Sequence, residues 1–226
     1  MGTRLERARF GAAQRIGRDT PASWLESMGM KTRESGMPGE ETWAAFFSPA
    51  ETLRRLGLPS VGDVVDFGCG YGTFTIPAAQ MTSGTVHALD IEPEMVAATR
   101  AKAEGQRNVR VSLRDFVAEG TGLADGCVQY AMLFNILHAE SPDVLLGEAY
   151  RVLAAGGKLG IMHWNYDPST PRGPSMDIRP RPEQCRAWAE RVGFRFIEMV
   201  DLPPYHWGMV LIRPQSATSA AKLTDS

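Results

Sequence analysis

Two acids, three glycines and three histidines carry the chemistry available to this chain. Val64-Val65-Asp66-Phe67-Gly68-Cys69-Gly70-Tyr71-Gly72 reads as a short buried strand, an acid at its end, then glycines at alternate positions. Without Cβ atoms the backbone there can turn tightly and lie against a ligand. A helix-like segment follows, and its first turn offers unpaired N–H groups to the same ligand. The position of the acid selects the ligand. A dinucleotide fingerprint, G-x-G-x-x-G, would need a third glycine where Thr73 stands. Asp66, ahead of Gly68, would also repel a pyrophosphate, whereas it suits a ligand with a cationic amino-acid end. A second strand-like run, Thr85 to Asp90, ends in another acid, and Pro93 then opens a helix. In a strand–helix–strand unit this distance brings the second strand's end beside the first strand's loop. One carboxylate there can accept both hydroxyls of a ribose. The plainer alternative is a helix cap at Asp90 or Glu92.

The elements that must position these residues alternate along the chain. Candidate strands are 63–67, 85–90, 109–113, 127–133 and 158–163, with candidate helices at 72–80, 93–104 and 142–153. Gly156-Gly157 is expected to end the last of these helices. Such alternation argues for a parallel sheet with helices on both faces. A helix near 183–192 follows. The runs 194–201 and 206–213 are too close for a crossover helix, so they must form an antiparallel hairpin. Residues 1–60 are expected to form a helical N-terminal cap, with helices between Glu41 and Leu56 carrying Trp43, Phe46, Phe47, Leu53 and Leu56. Helical spacing favours core packing for those aromatics. The proline-rich stretch 164–182 is long for a compact domain and reads as a lid loop. Arg172, Arg179 and Arg181 in it are candidates for gripping an anion, against the default of solvated surface. The tail 214–226 is small, polar and expected to be disordered.

The pattern D-x-G-x-G-x-G at Asp66–Gly72, with Asp90 behind it, resembles the first motif of class I methyltransferases, which bind S-adenosylmethionine. Phe134-Asn135-Ile136-Leu137-His138 is similar to the fourth motif of their small-molecule branch, the ubiquinone- and menaquinone-biosynthesis type. The resemblance covers about residues 60–213. It implies an α/β fold, a doubly wound and mostly parallel seven-stranded sheet with the last strand antiparallel, and a cofactor domain over 61–213. It also implies site roles. Asp66, Gly68, Gly70 and Tyr71 would lie along the methionine end of the cofactor, and Asp90 would hold the ribose. Ile91 would pack on the adenine, Asp115 would accept its amino group, and Phe116 would stack or hydrogen-bond through its backbone. Leu133 and Phe134 would back the cofactor, with Asn135 and His138 facing the reaction space.

Ligands in such sheets sit beyond the carboxyl ends of the parallel strands. His138, His163 and His206 are all expected at that mouth and are the candidates for base or substrate positioning. His87, inside a strand, is expected to be structural. A metal site is not expected, because neither the histidine spacing nor Cys69, Cys127 and Cys185 matches a ligand pattern. The implied activity is methyl transfer to a small molecule by direct displacement. A nicotinamide-dependent oxidoreductase and a non-catalytic S-adenosylmethionine-binding partner subunit remain as alternatives. A net charge of −2 argues against a nucleic-acid partner, and no apolar run is long enough to span a membrane. Three cysteines that cannot fully pair suit a reducing cytoplasm. Five arginines within residues 1–20 are mildly like an organelle-targeting segment, though a solvated amphipathic helix fits them better. Oligomeric state is not readable from the chain.

Overall fold

The structure, a computed structural model, describes residues 37–139 and 141–215. The arginine-rich segment 1–20 and most of the expected tail lie outside them. The elements run α1 (Glu40–Ala44), α2 (Pro49–Arg55), β1 (Val64–Phe67), α3 (Thr75–Met81), β2 (Val86–Asp90), α4 (Pro93–Lys102), β3 (Val109–Leu113), β4 (Val128–Phe134), α5 (Pro142–Val152), β5 (Leu153–Trp164), α6 (Pro182–Val192), β6 (Arg195–Leu202) and β7 (His206–Ile212).

All four residues of β1 are buried, as an apolar run with helices over both faces requires. Successive residues feed different cores. Val65 and Phe67 pack with Ala131, Leu133 and Leu159 against Leu145, Leu146 and Ala149 of α5. Val64 packs with Tyr130 and Met132 against Leu53 of α2 and Ala78 of α3. The Tyr130 hydroxyl crosses to donate to Leu56 O at 2.9 Å, which ties the end of α2 to the sheet. A Cβ at Gly160 would collide with that hydroxyl, so the glycine makes the room.

The sheet has seven strands in the order β3-β2-β1-β4-β5-β7-β6. The first five are parallel, and β7 runs antiparallel to both β5 and β6. From β1 the chain moves outward to β2 and β3, then returns to lay β4 on the other side of β1. Strand order reverses between β1 and β4, and that reversal opens a crevice at the carboxyl ends.

Boundaries sharpen or correct the sequence reading at three places. The helices expected across Glu41–Leu56 are α1 and α2, which part at 45–48, because Pro49 can be accommodated only in a first turn. Gly72 to Phe74 form a turn, so α3 begins at Thr75. Gly156-Gly157 do not end a helix. That helix stops at Val152, Leu153 already pairs with Val128, and the glycines lie within β5 beside a register shift. Gly156 takes φ +83° and donates to Arg213 O at 2.8 Å, so the pair serves a strand irregularity.

Candidate active site

The glycine loop is built by backbone conformation. Gly68, Gly70 and Gly72 all have positive φ, at 75°, 52° and 74°. The N–H groups of Gly68 and Cys69 both donate to Leu89 O, at 2.8 and 2.9 Å, so the loop is stitched to the tip of β2. Asp90 completes the seam. Its Oδ2 accepts from Gly70 N at 2.8 Å and its Oδ1 from Glu92 N at 2.9 Å. Each oxygen retains lone-pair capacity for a further donor. On the far side Thr99 donates to Gly70 O at 2.7 Å.

Asp66 is 3% exposed, and its Oδ2 accepts from the Thr75 hydroxyl at 2.6 Å. Burial pushes its carboxyl up to about 7 against the lowering effect of that hydroxyl. Burial also raises the Asp90 carboxyl above its ordinary value. Two desolvated carboxyl groups at adjoining strand tips favour a ligand that brings positive charge or several hydroxyl donors.

Beside this loop lies a cavity of about 360 Å³. Asp66, Gly68, Cys69, Gly70, Asp90, Ile91 and Glu92 form one end. Phe74, Phe116 and Phe134 supply aromatic wall, and Asn135, Ile136, His138 and Ala139 from the end of β4 supply the rest of the floor. Met37, Pro38 and Trp43 approach from the N-terminal side, and Arg172, Gly173, Pro174 and Ile178 from the loop after β5. A Cβ at Gly70 would come within 2.8 Å of Met37 Cε and one at Gly68 within 2.9 Å of Ile136 Cδ1. The cradle therefore depends on bare backbone.

Of the residues singled out from sequence, Asp66, Gly68, Gly70, Asp90, Ile91, Phe116, Phe134 and His138 meet at this cavity. Five others do not line it. Tyr71 turns away, its hydroxyl donating to Pro38 O at 3.2 Å and its ring lying under Lys102. Asp115 accepts from Ala118 N at 3.0 Å within its own turn. His163 sits behind His138, with 3.3 Å between its Nε2 and His138 Nδ1, and is fully buried against Trp207. His206 packs under Trp164 and Phe47, with ring centroids 4.3 and 4.8 Å away. Burial holds both imidazoles neutral, with His206 lowered to about 3 and His163 well below its ordinary value. Leu133 lies in the core behind the site.

The loop between β5 and α6 is held by Arg179, which is 6% exposed. Its guanidinium donates to Pro174 O at 2.8 Å, Asn165 O at 2.9 Å, Asp167 O at 3.1 Å and Thr170 Oγ1 at 2.6 Å. This arginine organises the loop from inside. Arg181 stacks on Tyr166 at 3.6 Å, so of the three loop arginines Arg172 is the one at the cavity. Trp43 and Phe46 join Trp164 and Tyr205 in one aromatic cluster.

Sequence reasoning passed over Thr75, Thr99 and the internal role of Arg179. Thr75 follows Asp66 by nine residues, a spacing that means something only once the β1–α3 turn is known. Among the described residues, no group of three or more His, Cys, Asp or Glu side chains is placed to hold a metal ion, and no helix is long and apolar enough to cross a membrane.

Comparison with known proteins agrees with this architecture. Residues 64–157 match a methyltransferase domain family. A ribosomal protein L11 methyltransferase from Methylococcus capsulatus is 41% identical over 97 residues, covering 42% of this chain and 31% of that protein. A ubiquinone/menaquinone biosynthesis C-methyltransferase from Geobacter sp. (strain M21) is 30% identical over 130 residues, 56% of this chain and 53% of that one. The chain thus spans about half or less of the length of these curated relatives. Among solved structures, a SAM-dependent methyltransferase from Aquifex aeolicus superposes with a TM-score of 0.70 at 22% identity, covering 84% of this chain and 97% of that chain. Glycine loop, strand order with an antiparallel β7, and domain match converge: the fold is that of the class I S-adenosylmethionine-dependent methyltransferases, and residues 64–157 match a methyltransferase domain.

Proposed function

We propose that this protein transfers a methyl group from S-adenosylmethionine to a small molecule by direct displacement. The observation that carries the reading is one cavity lined together by buried Asp66 and Asp90, the glycine loop, the rings of Phe74, Phe116 and Phe134, and His138. The cofactor supplies an electrophilic methyl group on a sulfonium. The protein's own residues bind, orient and keep water out. Asp66 as carboxylate would face the ammonium of the methionine portion. Gly68 and Gly70 would let that portion lie on the backbone, and Asp90 would accept the ribose hydroxyls. Ile91 and Phe116 would flank the adenine. His138 is the candidate to accept a proton from the methyl acceptor or to position it, with His163 holding its ring from behind.

The relative that acts in quinone biosynthesis supports a small-molecule acceptor. The loop organised by Arg179, which brings Arg172, Gly173 and Pro174 to the cavity, supports the same view. The ribosomal protein methyltransferase relative supports a second reading, a protein acceptor. Incubation with methyl-labelled S-adenosylmethionine separates these. A panel of small phenols, quinols, amines, thiols and carboxylic acids is run beside purified ribosomal protein L11. The account expects label in at least one small molecule and none in the protein. Label in L11 alone would replace it with the protein-acceptor reading, and no transfer at all would favour a non-catalytic cofactor-binding role.

A further inference from the structure

Asn135 stands out within the cavity wall. Among the described residues it is the only one other than glycine with positive φ, at 54°. Both polar atoms of its carboxamide, Oδ1 and Nδ2, are buried and have no hydrogen-bond partner. Its backbone N–H is held firmly, donating to Met162 O at 2.7 Å. The main chain is therefore fixed while nothing in the protein fixes the amide. A glycine would adopt this φ without strain, and an apolar side chain would avoid the desolvated amide. Asparagine tolerates this backbone better than other non-glycine residues, but its desolvated amide returns no contact in the free protein. Unmet hydrogen bonding of a buried amide just past a strand end that lines a cavity points to a ligand.

The amide also says what kind. It presents one donor and one acceptor side by side, so its complement must offer an acceptor and a donor in the same arrangement. A carboxylate would set a second acceptor against Oδ1. A hydroxyl next to a carbonyl would close its own internal hydrogen bond. A neutral lactam or amino-imine edge fits without either conflict. Turning the amide into the cavity breaks no hydrogen bond, and the neighbouring rings of Phe74, Phe134 and Trp164 suit a flat body. We propose that Asn135 reads the methyl acceptor, and that the acceptor is a flat, neutral heterocycle with such a donor–acceptor edge. This rests on the reading of the cavity as the methyl-transfer site.

The test uses the full chain loaded with S-adenosylhomocysteine, titrated calorimetrically with 2-quinolone and with N-methyl-2-quinolone, whose donor is blocked. The native protein should bind 2-quinolone at least tenfold more tightly. Asn135→Gly should lose that preference, keep its S-adenosylhomocysteine affinity within twofold, and melt at the same temperature or higher. Equal binding of the two quinolones by the native protein, including no binding of either, would overturn the proposal. So would a melting temperature lowered by several degrees in Asn135→Gly, which marks a structural amide. A tenfold loss of S-adenosylhomocysteine affinity in that variant would assign Asn135 to the cofactor instead. Failure of the native protein to bind S-adenosylhomocysteine would sink the underlying methyl-transfer reading, a result distinct from all of these.

Discussion

At the scale of the residue, Asp66 makes the sharpest claim because its charge state is poised. Burial sets its carboxyl at about 7 in the free protein, while an unfolded aspartate titrates near 3.9. The folded chain therefore holds this proton more tightly than the unfolded one, and Asp66 contributes stability that is lost as pH rises from about 4 to 7. A bound ammonium group needs the carboxylate, so ligand affinity should move the opposite way. Between pH 8 and 7 the dissociation constant of S-adenosylhomocysteine should change little. Below pH 7 it should rise, approaching about tenfold per pH unit, and Asp66→Asn should bind weakly with a flat profile. Titrations at pH 8, 7 and 6 check this. A native profile as flat as the variant's would remove Asp66 from the amino-acid end of the ligand. This residue was legible in the sequence, since an acid ahead of three glycines has few other uses. The histidines were less so. Strand direction placed all three near one mouth, but whether a ring faces the cavity or lies under Trp164, as His206 does, depends on packing from Phe47, between α1 and α2, and from Trp164 at the end of β5.

At the scale of the element, the β1–α3 loop must do two separable things: take a left-handed backbone and leave space for a ligand. Gly70 and Gly105 separate them. Both have positive φ, 52° and 82°, but a Cβ at Gly105 meets nothing within 4 Å and Gly105 does not line the cavity. Gly70→Ala and Gly105→Ala should each cost on the order of 1 kcal/mol of stability through backbone strain. Gly70→Ala alone should weaken S-adenosylhomocysteine by tenfold or more. Chemical denaturation and calorimetry read the two effects. Equal affinity in the two variants would show that the loop does not cradle the ligand. Element types were readable from periodicity, but several ends were not. Gly156-Gly157 looked like a helix stop because a glycine pair signals one locally. The pairing of Leu153 with Val128 and of Gly156 with Arg213 is long-range, and it draws the glycines into β5.

At the scale of the whole molecule, strand order makes the site. Asp66 and Asp90 end neighbouring strands, and Asn135 and His138 follow a strand on the other side of β1, so one crevice gathers residues that are far apart along the chain. The βα alternation and the closing hairpin made this sheet inferable without coordinates. The loop from Trp164 to Pro182 was recognisable as unusual only by its length and prolines. Its buried organiser, Arg179, read as one more surface arginine, because a guanidinium satisfied by backbone carbonyls leaves no pattern in sequence. The account stands on the joined tips of β1 and β2 holding a nucleoside with a cationic amino-acid end. Calorimetric titration of the native protein with S-adenosylhomocysteine and, separately, with NAD tests that most directly. One-to-one binding of S-adenosylhomocysteine with no heat from NAD is the predicted result; binding of NAD in preference to S-adenosylhomocysteine would contradict it.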